Sequence, residues 1–144
     1  MNKQKHHRGF SLIEVMVGLF LVAVAVLGLA QLFLVAVANN LKADRVANAT
    51  FLAQQQIDWL RGFTFDELNA YAGTLLESRD ELIDLNLDGT NDYRRITDFH
   101  IAGDTFQVLI HVYSAEKFSI DADELIADTD RHRPRALITT IITR

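Results

Sequence analysis

An apolar segment near the N-terminus constrains the fold of this chain more than any other feature. No polar side chain occurs between Val15 and Ala30, and after Gln31 the apolar residues resume and continue to Ala38. The segment is about 24 residues long, whereas about 20 apolar residues are enough for an α-helix to cross the hydrocarbon core of a membrane. The sequence therefore predicts a transmembrane helix formed by residues 10–38.

Charged residues are distributed unevenly on the two sides of this segment. The first nine residues contain three basic side chains and no acidic one, whereas residues 39–144 contain eleven Lys and Arg against eighteen Asp and Glu. An excess of basic residues marks the side that stays in the cytoplasm. We therefore expect a single-pass protein with residues 39–144 exported, and their net negative charge argues against nucleic acid as a partner.

Cleavage by ordinary signal peptidase is one way in which this segment could be processed. Ala36-Val37-Ala38 fits the small-residue cleavage site of a secretory signal, but the apolar core of such a signal is only about 7 to 15 residues long. Glu14 would lie inside that core, where a carboxylate is costly unless it has a function. The sequence therefore disfavours cleavage after Ala38.

A short motif precedes the apolar segment and contains its single carboxylate. Residues 8–15, RGFSLIEV, resemble the class III signal of type IV prepilins and type II secretion pseudopilins. The resemblance implies that residues 1–9 are a leader peptide and that prepilin peptidase cuts between Gly9 and Phe10. It also implies that Phe10 becomes N-methylated and that Glu14 is the fifth residue of the mature chain.

The carboxylate of Glu14 needs a partner if it lies within the membrane. Cleavage would create an ammonium group on Phe10, one helical turn from Glu14. The resemblance implies that in a filament Glu14 meets the ammonium group of an adjoining subunit, and such a pairing would fix the axial register of the two chains. A carboxylate near a helix end that reaches the lipid headgroups is the simpler alternative.

The helix is predicted to continue beyond the membrane. Within residues 39–62, apolar and small side chains recur at steps of three and four residues, and Gly62 supplies a stop. One helix of some 50 residues would therefore span the membrane and then pack on a domain with its amphipathic half, residues 39–61. The residues on the packing face are Leu41, Ala49, Leu52, Ala53, Gln56, Ile57 and Leu60.

The rest of the chain predicts a small β-sheet. Residues 93–101, 105–114 and 135–143 are rich in β-branched and aromatic residues, as strands are, and Ala102-Gly103-Asp104 suits a hairpin. Residues 63–83 suggest an irregular connection with a helical turn or two. The sequence therefore predicts an α+β fold in which one long helix packs on an antiparallel sheet of three or four strands.

The resemblance to pilins implies the same arrangement of one long helix packed on a small sheet. Residues 51–62, FLAQQQIDWLRG, resemble a stretch of minor pilins of the pilus modification type and of minor pseudopilins of the I type. Many major pilins carry a helix-breaking proline in the first helix, but the only proline of this chain is Pro134. The resemblance therefore favours a minor subunit and implies that the kink of those pilins is missing.

Residues 84–92, DLNLDGTND, have the spacing of part of an EF-hand calcium loop. Position 12 of such a loop is normally a bidentate Glu but is Arg95 here, so a calcium ion would need ligands from elsewhere. The alternative is a polar connection in which Asp88-Gly89 forms the turn. Calcium is the one cofactor that the sequence suggests, and its candidate ligands are Asp84, Asn86, Asp88, Thr90 and Asp92.

Other polar residues give no reason to expect an enzyme. His100 and His111 fall on predicted strands without a nucleophile or a ligand set, and the basic residues 131–135 are better explained as a solvated turn than as a phosphate contact. The chain has no cysteine, which excludes lipoprotein anchoring and disulfide bonds. We therefore expect a protein that assembles with other chains and does not catalyse a reaction.

The sequence supports one main hypothesis and two alternatives. The main hypothesis is a minor pilin that is processed at Gly9-Phe10, held in the inner membrane with its domain in the periplasm, and assembled into a type IV pilus or used to prime one. The first alternative is a tip pseudopilin of type II secretion. The second is a signal-anchored periplasmic binding protein that never polymerises.

Overall fold

The computed structural model describes residues 11–73, 78–103 and 105–143. The chain divides into two compact units between Lys42 and Ala43. The first helix, α1, runs without interruption from Leu12 to Arg61 and is 50 residues long. This length confirms the prediction of one helix of some 50 residues.

In the first unit, the described chain consists of α1 alone. Every side chain from residue 11 to residue 42 is exposed, although most of them are apolar. α1 is the one helix in the described part of the chain that is long and apolar enough to cross a membrane. A helix with apolar side chains on all sides is stable only where lipid or other helices surround it.

The second unit contains the rest of α1 and a sheet with three short helical segments. Helix α2 spans Phe65–Ala72, a 3-10 turn spans Ala115–Lys117, and helix α3 spans Ala122–Ala127. The strands are β1 (Arg79–Ile83), β2 (Tyr93–Ala102), β3 (Thr105–Ser114) and β4 (Ala136–Thr143). They form one antiparallel sheet in the order β1-β2-β3-β4, which confirms the predicted α+β fold.

The inner face of the sheet packs against α1. Alternate residues of β3 from Phe106 to Val112 point to the helix, and α1 contributes one buried face. Six of the seven residues predicted for that face are buried, whereas Leu41 is 57% exposed. The buried residues of α1 are Ala49, Leu52, Ala53, Gln56, Ile57 and Leu60.

Over residues 63–83 the structure contains the expected helical turns, as helix α2, and also strand β1, which was not predicted. Helix α2 begins with a capping box, in which the backbone N–H of Thr64 donates to Glu67 and the backbone N–H of Glu67 donates to the Thr64 hydroxyl. Residues 64–67, TFDE, have the sequence pattern of such a box. Strand β1 follows, and its three charged residues out of five obscure the alternation by which strands are recognised.

The outer face of the sheet is partly covered by the segment between β3 and β4, which was not predicted to be helical. Leu125 of α3 packs on Ile96 and Tyr113, and the Tyr113 hydroxyl donates to the Leu125 carbonyl at 2.9 Å. Burial of this phenol raises the pKa of Tyr113 to about 12. Tyr113 therefore remains a neutral hydrogen-bond donor that holds α3 on the sheet.

Candidate functional site

The predicted processing site lies at the N-terminal boundary of the described chain. Gly9 and Phe10 are outside the described residues, and α1 begins two residues after Phe10. The backbone N–H of Glu14 donates to the Ser11 carbonyl at 3.0 Å, which places Glu14 in the first turn of α1. A carboxylate in the first turn interacts favourably with the positive end of the helix dipole.

Glu14 is exposed and is surrounded along the helix by exposed apolar side chains. Leu12, Ile13 and Met16 are between 61% and 80% exposed. None of the described side chains forms an ion pair with the Glu14 carboxylate. Among the described residues, Glu14 and its neighbours therefore form an apolar surface with a single negative charge, which is complementary to an apolar surface that carries one cation.

Comparison with protein families identifies this N-terminal segment. Residues 4–30 match the model of the prokaryotic N-terminal methylation motif. The chain carries the class III prepilin signal of type IV pilins. The matched range includes Gly9, Phe10 and Glu14, although the roles of these residues stay predictions.

The match covers residues 4–30 and supports a precursor of the type IV pilin or pseudopilin type. Such a signal implies processing by prepilin peptidase and assembly with other pilins, and together with the apolar helix it indicates membrane anchoring. No curated protein and no solved structure matches the chain.

The candidate calcium loop is the connection of a β-hairpin. It joins β1 to β2, and the backbone N–H of Asp92 donates to the Ile83 carbonyl at 2.9 Å to close it. Gly89 has a φ of +88°, which glycine adopts without strain. The backbone therefore bends at Asp88-Gly89, which a polar connection and a calcium loop both require.

The carboxylates of the loop accept hydrogen bonds from its own backbone. Asp84 accepts from the N–H groups of Asp88 and Gly89, and Asp88 accepts from the N–H and hydroxyl of Thr90. The bonds from Thr90 lower the pKa of Asp88. Asp92 accepts from the N–H of Leu85 at 3.0 Å. These bonds connect the carboxylates of the loop to its own backbone.

Glu116, from the segment after β3, lines the same pocket as Asn86, Thr90 and Asp92 of the loop. The guanidinium of Arg95, at the twelfth position, donates to Glu81 of β1 and to the Leu52 carbonyl of α1. Over the ranges that the structure describes, no three His, Asp or Glu side chains are grouped as metal ligands would be. Calcium binding by this loop stays a prediction.

The two histidines on predicted strands have different surroundings. His100 is exposed and lies 3.1 Å from Asp98, measured from Nε2 to Oδ2. His111 is buried on the outer face of the sheet, where its ring stacks on Tyr113 and neither ring nitrogen has a hydrogen-bond partner among the described residues. Burial lowers the pKa of His111, while the charge of Asp98 opposes this shift.

The basic residues 131–135 do not form one exposed cationic surface. His132 is buried, and its Nε2 lies 3.4 Å from Glu124 Oε1, within the distance of an ion pair but without hydrogen-bond geometry. Arg135 is partly buried and pairs with Glu116 at 3.0 Å. Of this cluster, Arg131 and Arg133 are exposed. The arrangement agrees with a turn before β4 and offers little for a phosphate backbone.

Proposed function

We propose that the protein is a minor pilin that acts by polymerisation and catalyses no reaction. Prepilin peptidase would cut between Gly9 and Phe10 and methylate the new amine of Phe10. The mature subunit would be held in the inner membrane by residues 10–38, with residues 39–144 in the periplasm. It would then enter a type IV pilus or prime the assembly of one.

The observation that carries this proposal is the position of the prepilin signal on a continuous helix. The matched motif leads directly into α1, and α1 extends without a break to the residues that pack on the sheet. A subunit of this kind can leave the bilayer only if other apolar surfaces replace the lipid around the exposed residues of α1. Neighbouring subunits of a filament supply such surfaces.

Glu14 would determine how neighbouring subunits align when their apolar surfaces replace the lipid. An unpaired carboxylate among apolar side chains is costly in a membrane or in a filament core. The ammonium group of a neighbouring Phe10 would remove that cost at one axial position only. The apolar surface would therefore provide the attraction between subunits, and the charge pair would set their register.

The deciding experiment is the intact mass and N-terminal residue of the protein from membranes of cells with and without prepilin peptidase. We expect N-methylated Phe10 in the first cells and an uncut chain that starts at Met1 in the second. Replacement of Gly9 should leave the leader attached both in cells with prepilin peptidase and in cells without it. The same cleavage in cells with and without prepilin peptidase, or an N-terminus at Asn39, would refute the proposal.

The second candidate, a tip pseudopilin of type II secretion, shares the signal and the helix. The loop 84–92 is the feature that favours it, because a calcium site there would resemble the calcium-supported loops that occur in pilin-like proteins. Deletion of the gene separates the two candidates. A minor pilin predicts the loss of pili and of the functions that depend on them, whereas a pseudopilin predicts the loss of protein secretion with pili unchanged.

A further inference from the structure

A cleft lies between α1 and the first two strands of the sheet, and we call it the Trp59 cleft. Its lining residues are Gln55, Gln56 and Trp59 of α1, Glu81 of β1 and Arg95 of β2. All five belong to the second compact unit. The volume of the cleft is about 290 Å³. Small-molecule sites begin at roughly 300 Å³, so the cleft has room for a small ligand.

Trp59 gives the cleft a rigid aromatic wall. Its indole ring packs edge-to-face on Phe63 and Tyr71, with ring centroids 4.4 Å and 5.1 Å away, and Tyr71 packs in turn on Phe99 of the core. These contacts fix the orientation of the ring, yet Trp59 is still 47% exposed. A flat apolar surface is therefore held ready for a ligand.

Glu81 and Arg95 give the cleft polar groups that are already in place. The Arg95 guanidinium donates to the Glu81 carboxylate and, at 3.2 Å, to the Leu52 carbonyl. The Glu81 side chain is still 43% exposed, so its carboxylate can accept further hydrogen bonds. The pair has no net charge, which favours a neutral ligand, and its fixed position reduces the entropy cost of binding.

Gln56 is a buried polar side chain without a partner. It is 4% exposed, and its Nε2 donates to no acceptor among the described residues. A buried donor without an acceptor lowers the stability of a fold. Because Gln56 lines the Trp59 cleft, a ligand that brings an acceptor into the cleft relieves this cost. The exposed carboxamide of Gln55 offers a second donor and acceptor at the same place.

We propose that the Trp59 cleft binds a neutral saccharide. One face of a sugar ring consists mainly of C–H groups, and this face packs on the indole ring of Trp59. The hydroxyl groups at the edge of the ring donate to the Glu81 carboxylate and accept from Gln56 and Arg95. Trp59 supplies the contact area, and the polar side chains supply the selectivity.

The polar groups of the cleft separate a saccharide from other ligands. A hydroxyl group both donates and accepts, so neighbouring hydroxyl groups can bond to a carboxylate and to a guanidinium at the same time. A purely apolar ligand would cover Glu81 and Gln56 without bonding to them, which is costly. An anionic ligand would meet the Glu81 carboxylate in a chain whose net charge is -5.

The fluorescence of the protein can report binding directly, because Trp59 is the only tryptophan of the chain. The full chain is kept in a zwitterionic detergent, since detergents with sugar headgroups would compete for the cleft. The probes are maltotriose, cellotriose and tri-N-acetylchitotriose. We expect at least one of them to change the tryptophan emission in a saturable way, with a Kd of about 1 mM or lower. Unchanged emission with all three at about 10 mM would overturn the proposal.

Gln56→Leu tests whether the sugar uses the cleft. We expect this variant to bind the sugar at least tenfold more weakly without a fall in its melting temperature, because leucine replaces an unpaired buried amide. The matched control is Gln54→Leu on the exposed side of α1, which does not line the cleft and should bind within twofold of the unchanged protein. Equal Kd values for the two variants would overturn the proposal.

Gln55→Ala keeps the test decisive if Gln56→Leu does not fold. Gln55 is exposed and alanine favours helix, so the fold of this variant should be intact. We expect it to bind the sugar at least threefold more weakly, and an unchanged Kd would contradict the site. None of these titrations needs cleavage at Gly9 or a filament. A failure of the saccharide site would therefore leave the proposed function standing, and an uncut leader would leave the titrations standing.

Discussion

The guanidinium group of Arg94 lies 2.7 Å from the carboxylate of Asp80 on the neighbouring strand, measured from Nη2 to Oδ2. The Arg94 side chain is 7% exposed, and its Nη1 donates to the carbonyl groups of Lys117, Phe118 and Ile120. The hydrogen bonds that Arg94 donates to the Asp80 carboxylate raise the pKa of Arg94 against the opposing effect of burial. One buried charge therefore connects β1, β2 and the segment that covers the outer face of the sheet.

Removing the carboxylate of this pair should destabilise the protein. We expect Asp80→Asn to lower the free energy of unfolding by about 2 kcal/mol, because Arg94 remains charged and buried without its partner while the Asp80 side chain is itself partly exposed. Chemical denaturation of the full chain in detergent measures this change. The control is Asp58→Asn, since Asp58 forms an exposed pair with Arg61 at 3.8 Å and should cost less than about 0.5 kcal/mol. Equal effects of the two variants would contradict this role of Arg94.

His111 should make the protein sensitive to acid. Its pKa in the folded state is lowered by burial, so below the unfolded-state pKa of about 6.5 the unfolded chain takes up a proton that the folded chain resists. Stability is therefore complete above that pH and is lost as the pH falls toward the lowered folded-state pKa. His111→Phe keeps a ring to stack on Tyr113 and should flatten the fall in melting temperature between about pH 6.5 and 5.

The matched control for His111 is the exposed His100. We expect His100→Phe to leave the acid dependence of the melting temperature close to that of the unchanged protein, because the His100 side chain is 59% exposed. If the melting temperature of the His111→Phe variant fell with pH as steeply as that of the unchanged protein, groups other than His111 would cause the acid dependence.

Glu14 should act in assembly and not in cleavage. In cells that contain prepilin peptidase, we expect Glu14→Ala to be cut at Gly9 as before and to enter the sheared pilus fraction at least tenfold less, because its apolar helix lacks the charge that sets the register. Quantitative mass spectrometry of the membrane fraction and of the sheared pilus fraction measures cleavage and assembly. The signal-anchored binding protein that never polymerises predicts indifference to this substitution. Unchanged recovery of Glu14→Ala from pili would show that Glu14 does not set the register.

The loop 84–92 offers a test of the calcium prediction. A calcium ion held there would raise the melting temperature of the protein at about 1 mM CaCl₂, in the range of weak extracellular sites, and equal MgCl₂ would have less effect. Asp88→Asn should remove the calcium response. A melting temperature that is the same with calcium and with a chelator would show that the loop does not bind calcium.

The sequence by itself determined the N-terminal half of this protein. The length of the apolar run predicted a helix that can cross a membrane, and the spacing of Ala49, Leu52, Gln56 and Leu60 predicted the face on which α1 packs. The strands β2, β3 and β4 were also predictable, because their β-branched and aromatic residues are typical of a half-buried sheet. These are local patterns, and they depend only on residues close in the sequence.

Only the tertiary structure decided the remaining features. β1 can form a strand despite its charged residues because Asp80 and Glu81 pair with Arg94 and Arg95 of β2. The burial of His111, the position of α3 and the Trp59 cleft depend likewise on contacts between residues far apart in the chain. A sequence pattern records the preference of each segment, whereas strand order and side-chain partners are set by how the segments together bury their apolar surface.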